Sequence, residues 1–494
     1  MAKKRRMNKD DSKSQKKKKM EIVCSENDQI KIQEIFARFP NLTEVIFVRL
    51  DDQSLATCRK VSKTWRDFVD SQRIYWIRKI LKYANPQSKF HEEWKMVLDK
   101  TPIKTLKEFG RFVWLQPQNE SSPLYVAGAL GDIELYNSIK EKTGLKGDSK
   151  NNHGSTAFHM AAYNNCINLC KMIMGEIQEK NPGNNSGETP LHHAASKGNY
   201  RVCELIMEQL QEKNPGCNKG ETPLHRAASN GHLYTCQLII EKLQDKNPGS
   251  KTGFTPLHRA ASKGHLKVCQ LFVEKGADLS SRNSMGYTPL HVAASEGHLK
   301  ICQFIIKRVQ EKNPWNKQGA TALHSAAKHG HYAICSLIID TVDDKNPGDL
   351  KGSTPLHEAA SNGHLNICQL IFEKIADPGL RRLRSSQPVK KVYGINPGNN
   401  KGLTPLHHAA RLGHFEVCKF LCENLKEKNP MDEENVTPLH LAAKFGHLDI
   451  CKLLCSNLEE KNPSDDYGRT PMDIAYSSKQ WKIVYFLIAE NNLN

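Results

Sequence analysis

No stretch of this 494-residue chain holds the roughly 18–20 consecutive apolar residues that cross a bilayer. The N-terminus also lacks the apolar core of a secretory signal. These absences lead to the expectation of a soluble, intracellular protein with no membrane partner. A Walker-type loop, a dinucleotide fingerprint and a convincing nucleophile–base–acid triad are missing too. Zinc-type Cys/His spacing is missing outside one regular pattern described below. A non-enzymatic protein without metal or cofactor is therefore expected. The fifteen cysteines are read as free thiols, because a reducing compartment disfavours disulfides.

What the chain does have is positive charge, unevenly spread. The net charge is +18, and residues 1–20 contribute +8 of it through ten Lys/Arg against two Asp. Lys3, Lys4, Arg5 and Arg6 form one basic cluster, and Lys16, Lys17, Lys18 and Lys19 a second. Blocks of like charge repel and bury no core, so residues 1–28 are expected to be a disordered tail. The two clusters resemble a bipartite nuclear-import signal, which implies importin as a partner of residues 3–19 and a nuclear as well as cytoplasmic location. A merely solubilising tail remains open. Nucleic-acid binding ranks below both, because the rest of the chain is only mildly basic.

The dominant pattern is a repeat. T-P-L-H begins at Thr189, Thr222, Thr255, Thr288, Thr354, Thr404 and Thr437, with variants at Thr156, Thr321 and Thr470 and a weak one at Ser122. The period is 33, with 34 after Ser122 and 50 across one insertion, giving eleven units. In the unit starting at Thr222, the threonine can cap a helix at about 1 kcal/mol. Pro223 suits the first helical position, and Leu224, Ala227 and Ala228 make a small-residue face. Gly231 ends that helix. Leu233, Cys236, Ile239 and Ile240 lie at helical spacing on a second helix. Pro248 then stops it, and Gly253 supplies a turn. Asn165 and Asn435 replace turn glycines, which predicts left-handed backbone there.

T-P-L-H-x-A-A-x-x-G-H at this period resembles the ankyrin repeat. The likeness covers residues 122 to about 490. It implies an all-α-dominated fold: a solenoid of antiparallel helix pairs with β-hairpin fingers along one edge. One departure recurs, in that most units carry Glu/Asp-Lys-Asn-Pro after the second helix, where 274–286 alone has the usual Gly-Ala-Asp. A slightly longer second helix is expected in those units. On this grid Cys170, Cys203, Cys236, Cys269, Cys302, Cys335, Cys368, Cys418 and Cys451 share one position, and sixteen of the 21 histidines fall at two others. Chemistry needs a cluster unlike its neighbours, so these are read as structural, the cysteines as core packing; the ankyrin resemblance implies that the T-P-L-H histidine ties adjacent hairpins by hydrogen bonds.

A second resemblance precedes the repeats. Residues 38–79 place Leu42, Val45, Ile46, Leu50, Leu55, Cys58, Val61, Trp65 and Phe68 at short helical spacings, broken at Asp51-Asp52. With Phe39-Pro40, the Cys58–Ser62 run and Trp76, this is similar to an F-box, with the Pro40-to-Leu50 distance about one residue short. The likeness implies docking on a Skp-family adaptor and, through it, a cullin, with Pro40, Leu42, Ile46, Leu50, Leu55, Val61 and Trp65 as contacts. A small helical domain is expected over 29–84 and a helical connector over 85–121 that holds it rigidly to repeats spanning 122–494.

The expected function is therefore substrate recognition in a Skp–cullin–F-box ubiquitin ligase, with a non-ligase ankyrin scaffold as the alternative. The target is unknown. Its contacts should use positions that vary between units: His193, Arg226, Arg259, Val292, Glu358 and His408 after the T-P-L-H histidine, with Lys197 and Lys263. Units three to five then offer a basic stripe suited to an acidic or phosphorylated segment. The insertion, near 377–395, carries Arg381, Arg382, Arg384, Lys390 and Lys391 and should be an exposed loop.

Overall fold

The computed structural model describes residues 76–77, 80, 91–98, 106, 122–376, 396–458 and 462–491. The basic tail, the F-box contacts from Pro40 to Trp65 and the insertion 377–395 lie outside the described residues. The chain divides into two compact units, residues 1–130 with 134–152 and residues 131–133 with 153–494. In the first, the connector contributes the helix His91–Leu98, which buries Trp94, Val97 and Leu98 and packs against Pro123–Leu130.

The second unit is built from helix pairs. Pro190–Lys197 precedes Tyr200–Glu208, and Pro223–Ser229 precedes Leu233–Glu241. The series runs to Pro471–Ser477 and Trp481–Asn491. First helices pack on first helices of the next repeat, and second on second. Leu224, Ala227, Ala228, Cys236, Ile239 and Ile240 are fully buried; each large side chain so removed from water contributes about 1.5–3 kcal/mol. Every cysteine of the repeated position is fully buried as well. Asn165 and Asn435 adopt φ of 63° and 57°, so the backbone requirement persists where the glycine does not.

The fingers are tight turns. Cys217 N–H donates to Glu221 O at 2.8 Å and Gly220 N–H to Cys217 O at 2.7 Å, and Asn218 N–H reaches back to Ser186 O of the preceding finger at 3.0 Å. Among the described residues one antiparallel bridge forms, Trp315 with Thr321. Most fingers are thus too short for a strand ladder; one backbone bond ties each to its predecessor, joined at Asn218 and Asn400 by a side-chain amide donating to Asn185 O and Leu350 O.

The second helix is not lengthened by Lys-Asn-Pro. Tyr200–Glu208 and Leu233–Glu241 occupy the same stretch of the unit as Leu266–Glu274, which precedes Gly-Ala-Asp. The motif works by capping instead. Lys180 Nζ donates to Met174 O and Ile177 O, both at 2.6 Å. Lys213, Lys246, Lys312 and Lys345 bind the matching carbonyls. A cation there satisfies orphan carbonyls and opposes the helix dipole. The following asparagine serves the next helix: Asn214 Oδ1 accepts from Leu224 N–H at 3.1 Å. One short motif thereby closes one helix and opens the next.

Candidate interaction surface

The T-P-L-H histidine closes a capping box. Thr222 N–H donates to His225 Nδ1 at 3.1 Å, and the Thr222 hydroxyl lies 2.9 Å from the same nitrogen. His225 stands where Glu or Gln commonly completes this motif. With Nδ1 accepting, the proton is on Nε2, which donates to Phe254 O of the next repeat at 2.8 Å. His159, His192, His258, His291, His324, His357, His407 and His440 repeat the arrangement. Burial pushes the imidazole pKa of His192, His225, His258, His291, His324 and His407 down to about 4. Both ring nitrogens of each are occupied, so none is free as a ligand or base.

The second histidine works backwards along the stack. His265 Nε2 donates to Ser229 O at 3.0 Å, and its ring covers Gly231. That glycine has φ of 76°, and a Cβ on it would lie 2.5 Å from His265 Nδ1. Glycine is thus required twice, by the turn and by the neighbour's ring. The cysteine column is equally inert: burial pushes the thiols of Cys269, Cys302 and Cys335 up to about 12, far from the thiolate that reacts or binds metal.

The positions between these fixed residues form the surface. Arg226 lies 2.5 Å from Glu188 and 3.3 Å from Glu221, and Arg259 also pairs with Glu221. Glu188 and Glu221 immediately precede their repeats' threonines, 38 residues before their arginines. Their part in this surface escaped the sequence reading. The only signal was an acid at that position in two successive units. The basic stripe is therefore a ladder of alternating charge, its arginines already shared with the chain's own carboxylates. Arg259 also stacks on Phe254, 4.7 Å from the ring centre. His193 and Lys197 both face Tyr163, at 6.1 and 4.5 Å. Lys263 is exposed.

Two grooves continue this surface. Arg259, Val292 and Glu358 line one of about 800 Å³, floored by Phe254 and Tyr287. Burial raises the Glu358 carboxyl above its ordinary range. His408 lies in the other, of about 700 Å³. The structure thus gathers Arg226 with Arg259, places Val292 and Glu358 farther along, and sets His408 in a separate groove.

Comparison with known families agrees with both parts of the chain. The family described as "Ankyrin repeats (3 copies)" matches residues 158–250, 242–314, 308–382, 385–465 and 424–494. The F-box domain family matches residues 36–77. No curated protein matches the chain. Both families are protein-interaction modules, so the protein has an adaptor-like role. The chain belongs to the ankyrin-repeat family and carries an F-box domain ahead of its repeats.

Proposed function

We propose that the protein is the substrate-recognition subunit of a Skp–cullin–F-box ubiquitin ligase. The observation that carries this reading is the presence, in one chain, of an F-box domain over 36–77 and ankyrin repeats over most of the remainder. The F-box recruits the adaptor through Pro40, Leu42, Ile46, Leu50, Leu55, Val61 and Trp65. The ankyrin surface that includes His193, Lys197, Arg226, Arg259, Lys263, Val292, Glu358 and His408 holds the target. Ubiquitin transfer belongs to other subunits, so the chain contributes affinity and placement. The clusters Lys3–Arg6 and Lys16–Lys19 bring the protein to the nucleus through importin.

The decisive experiment is co-precipitation of the Skp adaptor with the full-length protein and with Leu50→Ala/Trp65→Ala. The wild type captures the adaptor and the double variant does not. Failure of both to capture it leaves a scaffold without ligase partners and refutes the proposal. A reporter fused to residues 1–20 tests import separately, with nuclear accumulation as the expected result.

A further inference from the structure

The groove of the last three repeats shares an apolar floor with the groove before it: Leu403, Val436, Leu441 and Ile474 here, Phe254, Tyr287 and Val292 there. It differs in two ways. At the end of the first helix, where earlier repeats place Lys197, Asn230, Lys263, Glu296, His329 and Asn362, these repeats place Leu412 and Phe445. The latter two side chains are 50% and 44% exposed. Single exposed apolar residues are ordinary, but a run beside an apolar groove marks a contact surface.

The walls differ as well. Asp432, Glu433 and Glu434 outnumber Lys401 on the finger side, where Arg469 is paired with Asp465, whereas the finger side of the groove before it carries Lys317 and Lys351 against Asp349. Arg411 and Lys444 line the helix side. Glu433, Glu434, Arg411 and Lys444 form no ion pair among the described residues, in contrast to the Glu188–Arg226–Glu221–Arg259 ladder. Arg411 and Lys444 face the Phe445 ring at 5.5 and 5.9 Å. In the same groove, His408 Nε2 is shielded from solvent and has no hydrogen-bond partner among the described residues.

We infer that this groove binds an amphipathic α-helix of a partner protein, with Lys/Arg along one edge of its apolar stripe and Asp/Glu along the other. A predominantly acidic wall, an apolar floor and a basic wall are three surfaces of different chemistry. A strand offers two faces, whereas an amphipathic helix offers a stripe with two flanks. The basic flank lies against Glu433 and Glu434, the acidic flank against Arg411 and Lys444, and the stripe on Leu441, Phe445 and Ile474. This inference rests on the reading that the ankyrin surface holds a protein partner, and it names the chemistry of that partner.

The test uses the full-length protein and three synthetic fluorescent peptides of about 18 residues, long enough to sustain a helix. They share one leucine stripe and carry Lys on one flank and Glu on the other, Lys on both, or Glu on both. The mixed peptide binds about tenfold more tightly than either uniform one. Glu433→Lys/Glu434→Lys moves the preference to Glu on both flanks, and Arg411→Glu/Lys444→Glu moves it to Lys on both, with circular dichroism unchanged. Equal affinity for the three peptides, or an unaltered ranking in both reversal variants, overturns the inference. So does equal binding of the mixed peptide carrying a central proline, which points to an extended occupant. Adaptor capture is measured without peptide and depends on Leu50 and Trp65, so loss of the ligase reading and loss of this one are separately visible.

Discussion

The surface around Arg226 and Arg259 and the groove around Arg411 and Lys444 stand on the same scaffold and use their charges in opposite ways. In the first, the cations are held by Glu188 and Glu221 of the same chain. In the second, Arg411 and Lys444 face Glu433 and Glu434 across an apolar floor, and none of the four forms an ion pair among the described residues. Charge paired within the chain supports the fold; charge left unpaired is available to a partner. The beams beneath are alike: His225 reaches Phe254 O at 2.8 Å and His407 reaches Val436 O at 3.0 Å. On the proposed function, specificity lies in letters that change nothing in the backbone.

Acid is the strongest challenge to that common scaffold. The unfolded chain takes up protons on these imidazoles near pH 6.5, whereas the folded chain does so only near pH 4 at His192, His225, His258 and His407 alike. Between those values the unfolded state binds more protons, so stability falls as the pH drops. Each such histidine contributes up to about 1.4 kcal/mol per pH unit. The two regions should lose structure in one transition between about pH 6.5 and pH 4, followed by circular dichroism. Proton uptake counts how many of these buried histidines are released together, one T-P-L-H imidazole from most repeats and a second, His193 or His408, from the repeats of His192 and His407. Two separate acid steps would mean that the scaffold differs between the regions.

Single histidines come next in size. His225→Ala and His407→Ala each remove a capping-box partner and an inter-repeat bond and leave a buried cavity. A loss of about 2–4 kcal/mol is expected for each, read from urea denaturation. Equal losses support a uniform scaffold; a gap well above about 1 kcal/mol would show that one region leans on this bond more than the other.

Much of that scaffold was legible in the sequence, because its causes are local or periodic. Thr222 and Pro223 announce a helix start, and a histidine or cysteine recurring at fixed intervals declares itself structural. Asn165 and Asn435 kept left-handed backbone, as their type predicted. The ladder was not legible, because Arg226 meets Glu188 only after one repeat has stacked on another. The Lys-Asn-Pro motif was visible, but its mechanism was not. Proline suggested only a stop, whereas Lys213 and Asn214 cap two different helices. The groove around Phe445 had a faint signal, Leu412 and an aromatic where the repeats from Thr189 to Thr354 are polar, that acquires meaning only beside Glu433 and Arg411.

Removing one carboxylate from each region then separates paired from unpaired charge. Glu221 is nearly buried and serves two arginines, so Glu221→Gln should cost about 1–2 kcal/mol. Glu433 lies on an exposed finger without an ion pair among the described residues, and Glu433→Gln should stay within about 0.5 kcal/mol of the wild type. Thermal or urea midpoints of the two variants decide. Equal destabilisation would collapse the distinction between a groove that is internally satisfied and one that is open.

The smallest effect is expected from the chain that intervenes between the two grooves. The period lengthens by 17 residues between Thr354 and Thr404, yet both kinds of inter-repeat bond cross that interval unchanged. His357 Nε2 reaches Leu403 O at 2.9 Å, and His414 Nε2 reaches Ser361 O at 2.9 Å. Their counterparts elsewhere span 29 and 36 residues, and these span 46 and 53, so the added length lies wholly outside the stacking register. Lengthening a surface loop costs only about 0.6 kcal/mol per doubling. Deleting 380–391 should accordingly leave the urea midpoint and the single acid transition almost unmoved. A drop of more than about 1 kcal/mol would mean that the insertion braces one groove against the other, and that the two regions are not energetically independent.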